Sequence, residues 1–292
     1  MVDLTGKWLV ETGWLEQHLA APDVVVLDGN WYLPNDPRDA YEEYLQAHIP
    51  GAIFFDIDAI SDKSSPLPHM LPSPEQFSSQ MRKMGIGDGM RIVVYDVQGM
   101  FSAARVWWTF RAMGAEDVVV LNGGLAKWKA EGRPLEEGRP EARGPRHFTS
   151  RLNAQLVRSR DEILAILSNG SEQIVDARSA DRFHGEAPEP REGLRAGHIP
   201  GSRNLPYPEL LASDGTLKPA DELRGAFTKA GVDLARPVAT TCGSGVTASI
   251  LALALAILGH RQTSVYDGSW SEWGADETLP IETDIQPPPL KR

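Results

Sequence analysis

The sequence predicts an α/β fold made of two tandem copies of one unit, each a central parallel sheet flanked by helices. Three observations predict it: an internal repeat, an alternation of β-branched runs with amphipathic stretches, and a glycine-containing turn that joins such a run to a helical stretch. Short continuous apolar runs are typical of parallel strands buried on both faces. Strands that alternate with helices form a parallel sheet covered on both sides.

The internal repeat consists of four pairs of segments that occur in the same order in both halves of the chain. The pairs are residues 25–28 with 173–176, 48–52 with 198–202, 91–96 with 236–241, and 119–124 with 264–269. The last two pairs share a single offset of 145 residues. Four matches in one order indicate a duplicated unit rather than a chance similarity.

The repeat divides the 292 residues into two units of ordinary domain size. We assign residues 1–138 to the first domain, residues 139–156 to a linker and residues 157–292 to the second domain. The stretch 132–151 around this boundary is rich in Pro, Gly, Glu and Arg and has no sustained apolar period, as is typical of a surface linker. Three consecutive prolines within residues 286–292 predict an extended tail.

Composition and charge narrow the class of partner. Hydrophobic residues make up 41% of the chain and charged residues 24%, which is typical of a globular protein. The formal net charge of −11 argues against nucleic acid and anionic membranes, because both would repel such a surface. The longest apolar stretch, residues 248–258, is too short to cross a bilayer.

The chain contains one cysteine, so an intramolecular disulfide is impossible and a reducing compartment is expected. Residues 1–20 carry acids among their apolar residues and resemble neither a secretory signal nor an Arg-rich organelle presequence. These features predict a cytoplasmic protein.

That single cysteine, Cys242, lies where a buried strand is expected to end and a helix to begin by about Ala248. Ligands of parallel α/β sheets bind at the carboxyl ends of the strands. Gly243 and Gly245 lack a Cβ atom, so the loop can adopt positive φ and aim backbone N–H groups at the sulfur. The helix adds its positive end. Free cysteines often only pack in a core, but this position favours a reactive thiolate that can hold a persulfide.

Two other chemistries with a similar loop are tested by spacing. A cysteine-dependent phosphatase needs an arginine six residues after the cysteine, where this chain has Ala248. A nucleotide-binding P-loop ends in Gly-Lys-Ser/Thr, but here Gly245 is followed by Val246 and Thr247. No local cysteine-protease signature surrounds Cys242.

The segment 242–247 resembles the active-site loop of the tandem-rhodanese family of 3-mercaptopyruvate sulfurtransferases. The resemblance extends over nearly the whole chain and includes residues 48–52, 54–58, 65–72, 105–108, 181–183, 188–191, 197–201 and 266–270. It implies two rhodanese-like domains, of which the first is catalytically silent and the second carries the cysteine. The repeat supports this division, because the counterpart of Cys242 is Val97, which cannot attack sulfur. We expect the silent half to contribute walls and interface.

The resemblance also identifies candidate binding residues. In relatives that prefer thiosulfate, the two residues after the cysteine are typically basic, but Gly243 and Ser244 are neutral, as in mercaptopyruvate users. Val246 and Thr247 complete the substrate-binding loop. Arg182 and Arg191 are implied to hold the carboxylate and keto oxygen, since guanidinium groups bind carboxylates through paired charged hydrogen bonds. The alternative for either arginine is an ordinary surface ion pair.

The family further implies a relay of Ser244, His69 and Asp58 beside the cysteine, with His69 supplied by the silent half. The alternative is that His69 only braces its proline-rich loop. His48 and His198 occur in both copies, so a structural role is expected for them. The same argument assigns Asp28 and Asp176 to anchoring loops.

The expected reaction is a double displacement in which Cys242 takes sulfur from 3-mercaptopyruvate and passes it to cyanide, a small thiol or thioredoxin. No metal or organic cofactor is expected, and the chain should be a monomer or weak dimer. One alternative is a thiosulfate sulfurtransferase, and another is a persulfide-binding or redox-sensing module without turnover. A purely structural protein leaves the glycine loop around the lone cysteine unexplained.

Overall fold

The computed structural model describes residues 3–283 as two α/β halves, each built on a five-stranded parallel sheet. The first half contains β1 (Leu9–Val10), β2 (Val24–Asp28), β3 (Ile53–Phe54), β4 (Arg91–Tyr95) and β5 (Val118–Leu121), in the order β1-β5-β4-β2-β3. The second contains β6 (Val157–Arg158), β7 (Gln173–Asp176), β8 (Arg203–Asn204), β9 (Val238–Thr241) and β10 (Thr263–Tyr266), in the order β6-β10-β9-β7-β8. The two matching orders confirm the predicted fold. The predicted tail, residues 286–292, lies outside the described residues.

Helices cover both faces of each sheet. In the first half they are α1 (Thr5–Trp8), α2 (Thr12–His18), α3 (Ala40–Gln46), α4 (Ile57–Ile60), α5 (Pro74–Lys83), α6 (Ala103–Ala112) and α7 (Gly124–Ala130). In the second half they are α8 (Arg160–Asn169), α9 (Ala180–His184), α10 (Ala220–Lys229), α11 (Ala248–Ile257) and α12 (Ser269–Trp273). Short 3₁₀ turns occupy Ala154–Leu156 and Tyr207–Leu210. Capping boxes begin α5 and α8, since Ser73 pairs with Gln76, and Ser159 with Glu162.

The largest cluster of buried hydrophobic residues spans both halves, and each half has a smaller cluster of its own. Every residue of α11 is buried, which agrees with its sequence of alternating small and large apolar side chains. This helix packs against α6 of the first half, whose Trp107 and Trp108 are also buried. A single cluster of buried residues runs from Val25 through this contact to Val238. Because α11 follows the Cys242 loop directly, its packing fixes that loop against the first half.

The segment between the halves runs over the first sheet's helices. Residues 139–153 form no helix or strand. Phe148 is buried and contacts Phe77 and Phe110, with ring centroids 5.7 and 6.1 Å apart. The connection is therefore anchored by an aromatic side chain rather than by regular structure.

His48 and His198 occupy matching places in the two halves. Each ring lies 2.8 Å from a backbone carbonyl oxygen, that of Tyr44 and that of Phe183 respectively. Both imidazoles are buried and stack on an aromatic ring, His48 on Tyr44 and His198 on Phe183. These contacts support the structural role expected for both histidines.

Candidate active site

Cys242 follows the carboxyl end of β9 and is only 2% exposed. The five residues after it form a loop, and α11 begins at Ala248, where the sequence predicted a helix. Of the two loop glycines, Gly245 has a positive φ of 77°, but Gly243 does not. A Cβ atom on Gly243 would instead lie 3.2 Å from Nη2 of Arg182. The missing Cβ atom of Gly243 therefore leaves room for Arg182 beside the loop, and the backbone conformation does not require glycine there.

The loop is held from behind by residues of α12 and α11. The carbonyl oxygen of Cys242 accepts a hydrogen bond of 3.0 Å from N of Trp270. The carbonyl oxygen of Gly243 accepts two, from N and Oγ of Ser271, at 2.8 and 2.7 Å. The carbonyl oxygen of Gly245 accepts one of 2.9 Å from Oγ of Ser249. Within residues 3–283, the backbone N–H groups of residues 243–247 donate to no protein acceptor. They are therefore available to an anion in front of the loop.

A cavity of about 330 Å³ opens in front of the Cys242 loop. Another cavity, of about 390 Å³, is lined by none of the predicted site residues. Both halves of the chain line the cavity at Cys242. The first half supplies Trp31, Leu33 and Phe101; the second supplies Ala177, Arg178, Ser179, Arg182, Pro190, Arg191, Pro206, Tyr207, Pro208, Cys242, Gly243, Ser244, Val246 and Thr247. The walls contributed by the first half are mainly apolar, and the polar groups come from the second. This volume suits a small organic acid.

Arg182 and Arg191 both line this cavity together with Cys242. Arg182 forms an ion pair with Glu189, whose carboxylate also accepts a hydrogen bond of 2.7 Å from Nη1 of Arg178. Burial lowers the pKa of Arg191, and the nearby Cys242 and Asp58 act in the opposite direction. Arginine stays charged despite such shifts, so the cavity holds two cations within reach of the sulfur.

His69 reaches the site from the first half, with a buried side chain and an unusual positive φ of 61°. Its Nδ1 lies 2.9 Å from Oδ1 of Asp58, a close contact in which the ring N–H is poorly aligned with the oxygen. Oδ2 of Asp58 accepts a hydrogen bond of 2.9 Å from Nε1 of Trp31. Burial lowers the pKa of His69, and the interaction with His69 lowers the pKa of Asp58. Both shifts favour a neutral imidazole beside a carboxylate.

The third member of the expected relay, Ser244, lines the cavity and is 4% exposed. In the part of the chain that the structure describes, no hydrogen bond joins its hydroxyl to His69. Nε2 of His69 instead lies 3.2 Å from Nη2 of Arg191, which donates to it. Asp58 and His69 thus meet as predicted, but an arginine holds the nitrogen that the serine would need.

Sequence reasoning missed Glu189 and Arg178 as part of this site. Arg178 is fully buried, binds both carboxylate oxygens of Asp176 and lies with its guanidinium carbon 4.3 Å from the Trp270 ring centroid. Through Glu189, it fixes the position of Arg182. Glu189 lies within the 188–191 motif, but an acidic residue in a proline-rich loop gives no sign of its partner.

Metal-binding clusters and membrane-spanning helices are both absent from the described residues. Between residues 3 and 283, no cluster of three or more His, Cys, Asp or Glu side chains is arranged to hold a metal ion. Over the same residues, no helix has the length and apolar character needed to span a bilayer.

Comparison with known families finds proteins that share the two-domain arrangement of this chain. The family model of the rhodanese-like domain matches twice, at residues 11–131 and 159–276. The 3-mercaptopyruvate sulfurtransferase of Escherichia coli K12 is 45% identical over 280 residues, covering 96% of this chain and 99% of that protein. The human 3-mercaptopyruvate sulfurtransferase is 42% identical, with 91% of each chain covered.

A solved structure agrees with these sequence matches. The crystal structure of SseA from Escherichia coli superimposes with a TM-score of 0.83 at 42% identity, covering 90% of this chain and 99% of that one. Identity at this level over both halves, together with the duplicated sheet order, confirms the resemblance seen in the sequence. The chain belongs to the tandem rhodanese-domain family of 3-mercaptopyruvate sulfurtransferases.

Proposed function

We propose that the protein transfers the sulfur of 3-mercaptopyruvate, through a persulfide on Cys242, to a thiol or cyanide acceptor and releases pyruvate. The observation that carries this proposal is one cavity that holds Cys242, the neutral residues Gly243 and Ser244, and the two cations Arg182 and Arg191. Two guanidinium groups fit an organic acid with a carboxylate and a neighbouring keto oxygen.

In the first half-reaction, the Cys242 thiolate attacks the sulfur of the donor. The carbon–sulfur bond breaks, and its electron pair forms the enolate of pyruvate, which takes a proton on carbon. Cys242 keeps the sulfur as a persulfide, whose proton is lost to solvent or to a nearby base. Arg182 and Arg191 stabilise the negative charge that develops on the enolate oxygen. The unpaired N–H groups of residues 243–247 stabilise the persulfide anion.

In the second half-reaction, a thiolate or cyanide attacks the outer sulfur of the persulfide, and the Cys242 thiolate leaves. One residue carries the sulfur between two substrates, so the kinetics are ping-pong. Both steps are displacements at sulfur that need no electron carrier. An internal resolving thiol is impossible, because Cys242 is the single cysteine.

The relay of Ser244, His69 and Asp58 requires a rearrangement in this scheme. Nη2 of Arg191 donates to Nε2 of His69, the nitrogen that the relay would use. When the carboxylate of the substrate attracts Arg191, Nε2 becomes free to accept a proton, and the Asp58 carboxylate, 2.9 Å from Nδ1, stabilises the charge that the ring then gains. Substrate binding and assembly of the relay are then one event.

The partners and location follow from the same chemistry. We propose small thiols, reduced thioredoxin or cyanide as acceptors, and a monomer or weak dimer as the working form. The single cysteine must stay a free thiol to turn over, and thiol acceptors are abundant in a reducing compartment, so the cytoplasm is the proposed location. An Arabidopsis thaliana relative, 42% identical, is named as a mitochondrial thiosulfate/3-mercaptopyruvate sulfurtransferase, so compartments differ within the family.

The proposal is tested by mixing the protein with 3-mercaptopyruvate, assaying pyruvate and recording the intact mass. We expect pyruvate release and a gain of one sulfur, which a thiol acceptor then removes. The same assay with thiosulfate compares the two values of kcat/KM, and a clear thiosulfate preference would refute the choice of donor. If no pyruvate forms while Cys242 can still be alkylated, the chain is a persulfide or redox sensor instead.

Replacing Arg191 with alanine is expected to raise the KM for 3-mercaptopyruvate by about 10- to 100-fold, since a charged hydrogen bond contributes roughly 1.5–3 kcal/mol. The measurement is initial-rate kinetics at saturating acceptor. Arg224→Ala is the matched control, because Arg224 lies on α10, away from the cavity, and its guanidinium lies 3.9 Å from the exposed Asp221. An unchanged KM in Arg191→Ala removes this arginine from substrate binding.

A further inference from the structure

A buried ion pair joins the two halves directly behind the Cys242 loop. Arg105 on α6 of the first half is 2% exposed, and Asp267, just after β10 of the second half, is 4% exposed. Nη2 of Arg105 lies 2.7 Å from Oδ1 of Asp267. Oδ2 of Asp267 accepts a second interdomain bond of 2.8 Å from N of Leu71. Burying two charged groups costs desolvation free energy. The pair is therefore expected where its contacts offset that cost or fix a required geometry.

The guanidinium of Arg105 also binds the two backbone segments that build the candidate active site. Its Nη2 donates to the carbonyl oxygen of His69, and its Nη1 lies 3.5 Å from the carbonyl oxygen of Gly245. Both segments have positive φ at those residues. A Cβ atom on Gly245 would lie 2.6 Å from Nη1 of Arg105, so the glycine is required by the arginine as well as by its φ.

The internal repeat supplies a comparison for this arrangement. At the offset of 145 residues, Asp267 corresponds to Asn122, and Arg105 corresponds to the buried Ile250. Asn122 of the first half accepts a bond of 2.9 Å from N of Leu217 in the second half. This bond mirrors the contact from Leu71 to Asp267. The interface is therefore pseudo-symmetric, but an arginine and its carboxylate occur only on the side that faces Cys242.

We propose that Arg105 is a positioning residue for sulfur transfer: it aligns the Cys242 loop of the second half with the His69 segment of the first, while Asp267 fixes its guanidinium. The inference rests on the proposed function. Arginine is suited to this task, because its planar group can serve several acceptors at once and a lysine ammonium cannot reproduce that geometry. Arg105 itself does not line the cavity. It acts through Gly245 and His69.

The decisive variant is Arg105→Lys, which keeps the charge beside Asp267 but loses the planar set of donors. Misplacement of reacting groups by about 1 Å can reduce rates on the order of 100-fold. We expect the single-turnover rate of pyruvate release to fall about tenfold or more, with little change in the KM for 3-mercaptopyruvate. The rate at which iodoacetamide alkylates Cys242 without substrate should also fall, because the loop no longer holds the sulfur in place.

Asn122→Ala is the matched control, since it removes the mirror-related interdomain bond on the side away from Cys242. It is expected to lower the melting temperature while leaving the turnover and alkylation rates unchanged. If Arg105→Lys fails to fold, Asp267→Asn tests the same positioning role of Arg105. This variant should lower the turnover rate without raising the KM for 3-mercaptopyruvate.

Wild-type turnover and alkylation rates in Arg105→Lys would overturn the proposal. So would a loss of rate that Asn122→Ala reproduces at an equal loss of melting temperature, because the ion pair would then be interface packing alone. Failure of the wild-type protein to gain sulfur would instead overturn the proposed function. The alkylation rates still test the role of Arg105 in that case, because they need no donor.

Discussion

Replacing Cys242 with serine is expected to abolish sulfur transfer while the protein stays folded. A serine hydroxyl does not ionise near neutral pH and cannot form the sulfur–sulfur bond of the intermediate. Loss of a covalent nucleophile reduces turnover by a factor on the order of 10⁴ or more. The side chain is 2% exposed, so one hydroxyl in place of the thiol costs about 1–3 kcal/mol of stability.

The measurement is pyruvate release by Cys242→Ser at enzyme concentrations high enough to detect that residual rate. Circular dichroism and the melting temperature show whether the fold is kept. Intact mass spectrometry should show no added sulfur. Turnover near the wild-type rate, or sulfur carried by the variant, would contradict the assignment of Cys242 as the nucleophile.

The fold could be predicted from the sequence because its signals are local or periodic. The runs that became β7 and β9 are short, buried and followed by turns, and α11 begins at Ala248 as expected. The duplication then required both halves to share one strand order. Each of these features depends on residues close in the chain or on a repeat visible in it.

The arrangement of the site depends instead on contacts between distant residues, which no local pattern encodes. Arg191 donates to His69, 122 residues away, and Arg105 meets Asp267, 162 residues away. The chain contains 29 Lys and Arg residues, and their spacing does not show which of them is buried. The family resemblance indicated the arginines of the cavity, but not that Arg191 would take the place expected of Ser244.

Asp28 and Asp176 share the loop-anchoring contact expected from the repeat but differ in their charged surroundings. Oδ1 of Asp28 accepts a hydrogen bond of 3.0 Å from N of Asn30, and Oδ1 of Asp176 accepts one of 2.9 Å from N of Arg178. Asp176 is paired with Arg178, but the equivalent residue in the first half is Asn30, whose buried amide group has no partner within the described residues. Among residues 3–283, Asp28 is therefore a buried carboxyl group with no ion pair to offset its charge. We therefore expect the loss of the negative charge to have opposite effects on stability in the two halves.

Burial raises the pKa of Asp28 to about 7. Hydrogen bonds from Asn30 and Tyr95 oppose this shift. The negative charges of Asp96 and Glu43 add to it. In the unfolded chain the carboxyl group has the ordinary aspartate pKa of about 3.8. Between these two pKa values the unfolded state has lost the proton that the folded state keeps. Unfolding then releases a proton, so the free energy of unfolding falls as pH rises from about 4 to 7.

Asp28→Asn is therefore expected to stabilise the protein at pH 8, on the order of 2–4 kcal/mol, and to do so less at pH 5. The asparagine keeps the acceptor for N of Asn30, which lies 3.0 Å away. Urea unfolding of both proteins at the two pH values measures the difference. A gain that is equal at pH 5 and pH 8 would show that Asp28 does not titrate in this range.

Asp176→Asn is the matched variant in the second half, and the opposite sign is expected. It removes the charge that holds Arg178 through two carboxylate oxygens, while Glu189 alone remains opposite that cation. Breaking a buried ion pair costs about 3 kcal/mol or more, because the remaining charge stays buried. Since Glu189 also binds Arg182, the variant should raise the KM for 3-mercaptopyruvate as well, whereas Asp28→Asn should leave it unchanged. One substitution at equivalent positions thus separates a titrating carboxyl group from one that orders the cavity.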